Sequence, residues 1–275
     1  MIIAVDTGGT KTLITSFTQD GDIGKFIQFP TPRDTGRYIT LLRTILKETY
    51  QNKPINAIVI AVPGVVHDNI ATWCANLGWK NFNIAKELGS LFGGVPIWLE
   101  NDANLAGLAE TRLLKPLPTS SLYVTISTGI GTGFIVNGQI DPGLAKSEGG
   151  HALVEYDGVV REWESFASGK AIYKLYGKYA RDITNKRQWQ HIADRISRGF
   201  LAIIPLTQPD IIIIGGSIGT YFERYEAPLR AYLKERLPKY ITRPQIIQAR
   251  HPEHAVVYGG YYYGLDRLTH KKAAR

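Results

Sequence analysis

Short, nearly unbroken apolar runs alternate along this chain with longer stretches in which apolar residues recur at helical spacing. The first kind reads as buried strands and the second as amphipathic helices. Ile2-Ile3-Ala4-Val5 opens the series as a strand, followed by strands at Thr12–Phe17 and Lys25–Phe29 with an Asp20-Gly21 turn between them. Tyr38, Leu41, Leu42, Ile45 and Leu46 then mark a helix over Asp34–Tyr50. Asn56–Ala61 reads as a buried strand stopped by Pro63-Gly64. Val95–Leu99 is another, running into a helix that reaches about Leu114. Lys115-Pro116-Leu117-Pro118 interrupts the pattern and is the predicted domain boundary.

The second half repeats the alternation. Strands are expected at Leu122–Ile126 and Phe134–Val136, with Asn137-Gly138 as a hairpin turn. Helices follow over Ser168–Tyr179 and Gln188–Leu206, then the strand Ile211–Ile214, a helix over Tyr221–Arg236, a strand over Gln245–Ala249 and a last helix over Ala255–Leu268. Strands alternating with helices imply a layered α/β fold. The last helix is expected to cross back onto the first half, which gives one domain from residues 1–117 with 255–275 and a second from 118–254.

Three of the strands end in glycine-bearing turns. These are Asp6-Thr7-Gly8-Gly9-Thr10-Lys11, Ser127-Thr128-Gly129-Ile130-Gly131-Thr132-Gly133 and Gly215-Gly216-Ser217. Glycine lets a backbone bend freely and approach a ligand without a Cβ in the way. Successive N–H groups in such a turn form a concave anion site. One strand followed by Gly-Gly is more often a plain tight turn. The first two share a grammar, however: apolar strand, turn with Thr and Gly, second strand. That is an internal repeat and predicts two similar halves.

The totals bound the classes. At 275 residues, 44% of them hydrophobic and 20% charged, the chain can bury a core without staples. A single cysteine, Cys74, excludes an internal disulfide and a multi-cysteine metal site, and fits a reducing cytoplasm. The chain opens directly in a strand, so no signal peptide is expected. No apolar run reaches the ~18–20 residues that span a bilayer, so no membrane partner is expected. The net charge of +8 is spread along the chain apart from His270-Lys271-Lys272. It favours anionic small ligands, or no specific partner, over a nucleic-acid surface.

Candidate chemistry gathers at two places. Glu100-Asn101-Asp102-Ala103-Asn104 directly follows an apolar strand and opens a helix. An Asp there is commonly only an N-cap. Four polar residues at the carboxyl end of an α/β strand, where ligands bind, say more. A carboxylate so placed can accept a proton from a substrate hydroxyl. The second place is Glu148-Gly149-Gly150-His151 with Glu164 beyond it, a polar wall suited to a polyhydroxylated ligand. Asn76, in Asn76-Leu77-Gly78-Trp79, offers an amide to the same kind of ligand, whereas Trp79 reads as core packing.

These motifs, in this order from Asp6 to about Gly260, resemble the ROK family of sugar kinases within the actin/hexokinase/Hsp70 ATPase superfamily. The resemblance implies two actin-like (ribonuclease H-like) domains with mixed five-stranded sheets and an interdomain cleft, binding ATP and Mg²⁺ with a hexose. Asp102 would be the general base toward the sugar 6-hydroxyl, and Asn76, Asn101, Glu148, His151 and Glu164 would hold the other hydroxyls. Gly8, Gly9, Thr10, Lys11, Thr128, Gly129, Gly131, Thr132 and Gly133 would serve the phosphates, and Gly215, Gly216 and Ser217 the adenosine. Asp6 would act near the metal through water. A homodimer is a family expectation.

Two departures matter. Many family members carry a cysteine-rich zinc segment after the histidine, whereas the stretch from His151 to Glu164 is short and has no cysteine, so no zinc is expected. Some relatives are repressors with an N-terminal helix-turn-helix. Here the first phosphate strand opens the chain, and no DNA partner is expected. Glucokinase is the leading expectation. The alternatives are a kinase for an N-acetylhexosamine, mannose or fructose, a polyphosphate-dependent glucokinase, or a sugar or nucleotide sensor without turnover. An actin- or Hsp70-like ATPase fits the sugar-side residues poorly.

Overall fold

The structure is a computed structural model that describes residues 1–89, 91–251 and 254–273. In chain order its elements begin β1 (Ile2–Thr7), β2 (Lys11–Phe17), β3 (Ile27–Pro30), α1 (Thr35–Tyr50), β4 (Ala57–Val62), β5 (Val65–His67), β6 (Ile70–Cys74), β7 (Trp79–Phe82), α2 (Ile84–Leu88), β8 (Ile97–Asn101) and α3 (Asp102–Arg112). They continue with β9 (Ser120–Ile126), β10 (Ile130–Val136), β11 (Gln139–Ile140), β12 (Leu153–Tyr156), β13 (Val159–Glu162), α4 (Glu164–Ala167), α5 (Gly169–Tyr176) and α6 (Lys186–Thr207). The last are β14 (Ile211–Gly215), α7 (Gly216–Gly219), α8 (Glu226–Arg236), β15 (Gln245–Gln248) and α9 (Ala255–Ala273). Two compact units result: Met1–Ala109 with His254–Arg275, and Glu110–Glu253.

The first unit is built on a mixed five-stranded sheet in the order β3-β2-β1-β4-β8. β1 runs antiparallel to β2 and parallel to β4, and β4 runs parallel to β8. Side chains of a strand alternate between faces. Ile3, Val5, Ile58 and Ile60 therefore join one core with Tyr38, Leu42 and Leu46 of α1. The other face, with Ile2, Ala4 and Val59, receives α9 through Gly260 and Gly264. α1 starts where Asp34 accepts a hydrogen bond from Arg37 N at 2.8 Å, an N-cap worth about 1 kcal/mol. A small antiparallel sheet, β5-β6-β7, supplies buried Trp79 and Phe82 to the same core, where both rings meet Tyr38. At β8 the Asn69 amide donates to Ile97 O at 2.9 Å, and its oxygen accepts from Leu99 N at 2.6 Å.

The second unit repeats the plan. Its sheet runs β11-β10-β9-β14-β15, with β9 antiparallel to β10 and parallel to β14, and β14 parallel to β15. The internal repeat of the sequence is thus one strand order used twice. Leu122, Val124, Ile212 and Ile214 pack with Ile196 and Phe200 of α6 and Leu229 and Leu233 of α8. Asn137 and Gly138 turn β10 into β11 with φ of 51° and 72°, the left-handed pair that a two-residue hairpin requires.

Several sequence expectations need correction. The helix expected over Tyr221–Arg236 is broken at Tyr225 (φ −130°, ψ 0°), because that buried ring stacks on Trp189 at 5.6 Å; α8 starts only at Glu226. The helix expected to run to Tyr179 stops at Tyr176, where Gly177 takes the left-handed conformation that ends helices. The one expected to reach Leu114 stops at Arg112. The β5-β6-β7 sheet and the β12-β13 hairpin have no counterpart in the hydrophobic pattern. Among the described residues no helix is long and apolar enough to cross a membrane.

Candidate active site

In the first unit the parallel strands β1, β4 and β8 end side by side. Asp6 pairs with Ala61, and Ala61 with Glu100. Strands lie about 4.8 Å apart, so Asp6 and Glu100 are separated by about 10 Å. The first glycine turn closes between β1 and β2, where Gly8 N donates to Lys11 O at 2.9 Å. Gly9 and Thr10 are exposed, as is Lys11 at the start of β2. Beneath them, burial pushes the Asp6 carboxyl from 3.8 up to about 6, with the Lys11 charge opposing. Exposed Asn76 borders this turn: a Cβ on Gly9 would lie 3.6 Å from that of Asn76. Trp79, by contrast, is core, and its indole donates to Arg33 O at 2.7 Å.

The Glu100–Asn104 segment is a tightly bonded strand-to-helix turn. Asn101 is the residue that caps α3: its side-chain oxygen accepts from Asn104 N at 3.0 Å, and its amide donates to Gly64 O at 3.0 Å. Glu100 Oε1 accepts from Asn101 N at 2.8 Å and from the Asn104 amide at 3.0 Å. Burial raises the Glu100 carboxyl, partly offset by those two bonds, by the Arg267 charge and by the Tyr263 hydroxyl. Asp102 is the first residue of α3. It is part-buried, and its Oδ1 accepts from Ala103 N at 2.8 Å. The Asn104 N–H is thus capped by Asn101, while Asp102 takes the N–H of its own successor.

In the second unit the second turn is Ser127-Thr128-Gly129, and Gly131, Thr132 and Gly133 lie inside β10 rather than in the turn. The Thr132 side chain is buried, and its hydroxyl accepts from Gly149 N at 3.0 Å. That bond ties it to the Glu148–His151 segment. Ser127 joins the glycine turns: its Oγ accepts from Ser217 N at 3.1 Å, and its carbonyl from Gly169 N at 2.6 Å. Gly215 closes β14, while Gly216 and exposed Ser217 open α7.

Glu148, His151 and Glu164 come together in this unit. His151 closes a 3₁₀ turn over Gly149–His151, and its N–H donates to Glu148 O at 3.0 Å. Burial raises the Glu148 carboxyl; His151 opposes this and Glu164 adds to it. Glu164 Oε2 accepts from Ile130 N at 3.0 Å and would lie 2.6 Å from a Cβ on Gly129, so any side chain at position 129 would displace this carboxylate. A residue the sequence reading passed over, Glu162, joins them: its Oε2 is 3.3 Å from His151 Nδ1. Ligand-type atoms of His151, Glu162 and Glu164 lie within 4.8 Å of one another. That is one donor fewer than a closed structural zinc site uses, and Glu164 already has a backbone partner. The sequence signal for Glu162 was weak, a lone glutamate in an exposed strand.

Comparison with known proteins gives a consistent picture. A family model described as the ROK family matches residues 2–266. An N-acetylmannosamine kinase of Shigella flexneri is 30% identical over 261 residues, covering 85% of this chain and 88% of its own length. A fructokinase of Pediococcus pentosaceus is 28% identical over 239 residues, covering 78% and 79%. The crystal structure of a ROK family glucokinase from Streptomyces griseus in complex with glucose and AMPPNP is similar with a TM-score of 0.80. At 21% identity it covers 96% of this chain and 99% of that one, which is a likeness of fold.

Proposed function

The chain belongs to the ROK family and is a sugar kinase, and from that premise we propose that it transfers the γ-phosphoryl group of ATP to the 6-hydroxyl of a hexose, with Asp102 as general base. One observation carries the assignment of the base. Asp102 sits at the carboxyl end of a sheet strand and at the first residue of a helix whose cap is supplied by Asn101. A part-buried carboxylate at the carboxyl end of a sheet strand stands where α/β folds bind their ligands.

In the reaction the 6-hydroxyl oxygen forms a bond to the γ-phosphorus while the bond to the bridging oxygen of ADP breaks. Asp102 accepts the hydroxyl proton. Asn76, Asn101, Glu148, His151 and Glu164 hold the remaining hydroxyls. In the turns that Gly8 and Ser127 close, the backbone N–H groups of Gly9, Thr10, Thr128 and Gly129, with the Lys11 and Thr128 side chains, hold phosphate oxygens, and Gly215–Ser217 line the adenosine. Thr132 supports the sugar-side segment. The part-buried carboxylate of Asp6 is an oxygen donor of the type Mg²⁺ accepts, usually through water. When bound, that ion offsets charge on the phosphates. Most of the catalysis is positioning and charge stabilisation.

Glucose is the leading acceptor. The similarity to an N-acetylmannosamine kinase favours an N-acetylhexosamine as the second, and the net charge of +8 suits polyphosphate as a second donor. A coupled ADP-release assay on glucose, fructose, mannose and N-acetylhexosamines, repeated with polyphosphate by product analysis, decides among them. Asp102→Asn is expected to abolish turnover while sugar binding by calorimetry survives. Near-full activity in that variant rejects the base.

A further inference from the structure

The β12–β13 hairpin leaves the chain just after His151 and returns just before Glu164. Its base is fixed. Trp163 N donates to Ala152 O at 2.9 Å, and the fully buried Trp163 indole donates to Arg195 O at 3.3 Å. The ring lies against α6 so closely that a Cβ on Gly199 would come within 2.0 Å of it. Antiparallel pairing sets Glu162 opposite Leu153, the outward side of the hairpin, while Val154 and Tyr156 face the core. The carboxylate of Glu162 therefore plays no part in packing. It is half exposed, and among the described residues it pairs with the His151 imidazole at 3.3 Å.

A neutral imidazole has one donor nitrogen and one acceptor nitrogen, and the bond made by one fixes the role of the other. Glu162 faces Nδ1. We propose that Glu162 is a positioning residue for the kinase reaction: its carboxylate accepts the Nδ1 proton of His151, which sets the tautomer and leaves Nε2 as an acceptor for a hydroxyl of the sugar. The proposal rests on the sugar-kinase reading given above. With Nε2 an acceptor, the sugar-side surface of this unit presents His151, Glu148 and Glu164 as acceptors together. Such a set recognises O–H donors and repels carboxylates and phosphates. It selects neutral polyols over sugar acids and over sugars that already carry a phosphate.

Two measurements test this. Long-range ¹H–¹⁵N spectra, with His151 assigned through His151→Gln, are expected to show Nδ1–H in the sugar-free protein at a pH where the ring is neutral, and a shift toward Nε2–H in Glu162→Ala. With a hexose the wild type phosphorylates, Glu162→Ala is expected to raise the sugar Kd and KM by about tenfold, the size of effect that follows from losing one well-aligned hydrogen bond to the sugar. The kcat at saturating sugar and the KM for ATP stay near wild type, and Glu162→Gln, whose amide oxygen accepts the same bond, restores most of the affinity. An Nε2–H wild-type ring overturns the proposal, as does unchanged sugar affinity in Glu162→Ala. Stoichiometric divalent metal whose removal by chelator takes sugar affinity with it also overturns it. A wild type that binds and phosphorylates no hexose defeats the kinase reading instead, and the tautomer spectrum still decides the His151–Glu162 pair.

Discussion

Replacing Gly259 by alanine tests how the last helix seats α3 and the Glu100–Asn104 turn in front of it. In an isolated helix the change would gain about 1 kcal/mol. Here the new Cβ would lie 1.8 Å from Leu105 O, 2.3 Å from its carbonyl carbon and 2.8 Å from its Cα. All three are backbone atoms of α3, so no side chain can rotate away. Restoring ordinary contact requires α9 and α3 to separate by about 1.6 Å, a distance that close-packed interiors do not yield cheaply. Overpacking costs typically ~1–3 kcal/mol, and a helix-on-helix collision belongs at or above the top of that range. Net of the propensity gain, we expect about 2 kcal/mol of destabilisation, or a melting temperature lower by roughly 4–8 °C. Gly260→Ala is the control. It sits next in the same helix, but its Cβ would meet only side chains, Ala4 Cβ at 3.2 Å and Val59 at 3.6 Å, and its melting temperature should stay close to wild type. Calorimetric melts of the three proteins, with kcat measured alongside, form the assay. Because α3 begins at Asp102, Gly259→Ala should also lower kcat. A Gly259→Ala protein that melts at or above wild type with unchanged turnover refutes the seating of α9 on α3.

Two further outcomes are expected. Burial raises the folded-state pKa of Asp6 from 3.8 to about 6, so the native state holds this proton more tightly than the unfolded chain. The ionised carboxylate therefore weakens the fold above about pH 6, and the penalty fades as the pH falls toward 3.8. Asp6→Asn should raise stability on the order of 1–3 kcal/mol near pH 8 and change it little near pH 4, while kinase activity is lost; equal effects at both pH values would contradict the assignment. Thr132→Val keeps the shape of the side chain but removes the acceptor for Gly149 N, which should cost roughly 1–3 kcal/mol in denaturant unfolding and raise the sugar KM. A rise confined to the KM for ATP would return this hydroxyl to the phosphates.

The parts of the fold that were legible are those where one periodicity rules. β1, β4 and β14 are unbroken apolar runs, and α1 and α6 carry regular apolar stripes between recognisable caps, so each was read to within a few residues. The repeat of strand and glycine turn was visible because both halves need the same bend after the first strand. The segment from Val65 to Phe82 was not, since its strands are short and mix polar with apolar residues, and tertiary contacts around Trp79 and Tyr38 decide their shape. Asp157-Gly158 is a hairpin turn in the structure, with φ of 54° and 74°, but exposed Val159 and Val160 beside it hide the alternation that would have announced β12 and β13. The residues of the candidate site could be named from their types and order. The bonds these residues make were not legible: that Asn101 caps α3, that Thr132 accepts from Gly149 N, and that Glu162 meets His151 all depend on side-chain direction, which spacing alone does not carry.

Asn69 has a consequence beyond the two bonds it makes. Ile97 O and Leu99 N are groups of β8 that point away from β4, and the Asn69 side chain pairs with both as a neighbouring strand would. One residue thus occupies the place of a sixth strand. The outer margin of the sheet offers less of the bare ladder on which another chain could template, and the sheet terminates at the strand that delivers Asp102.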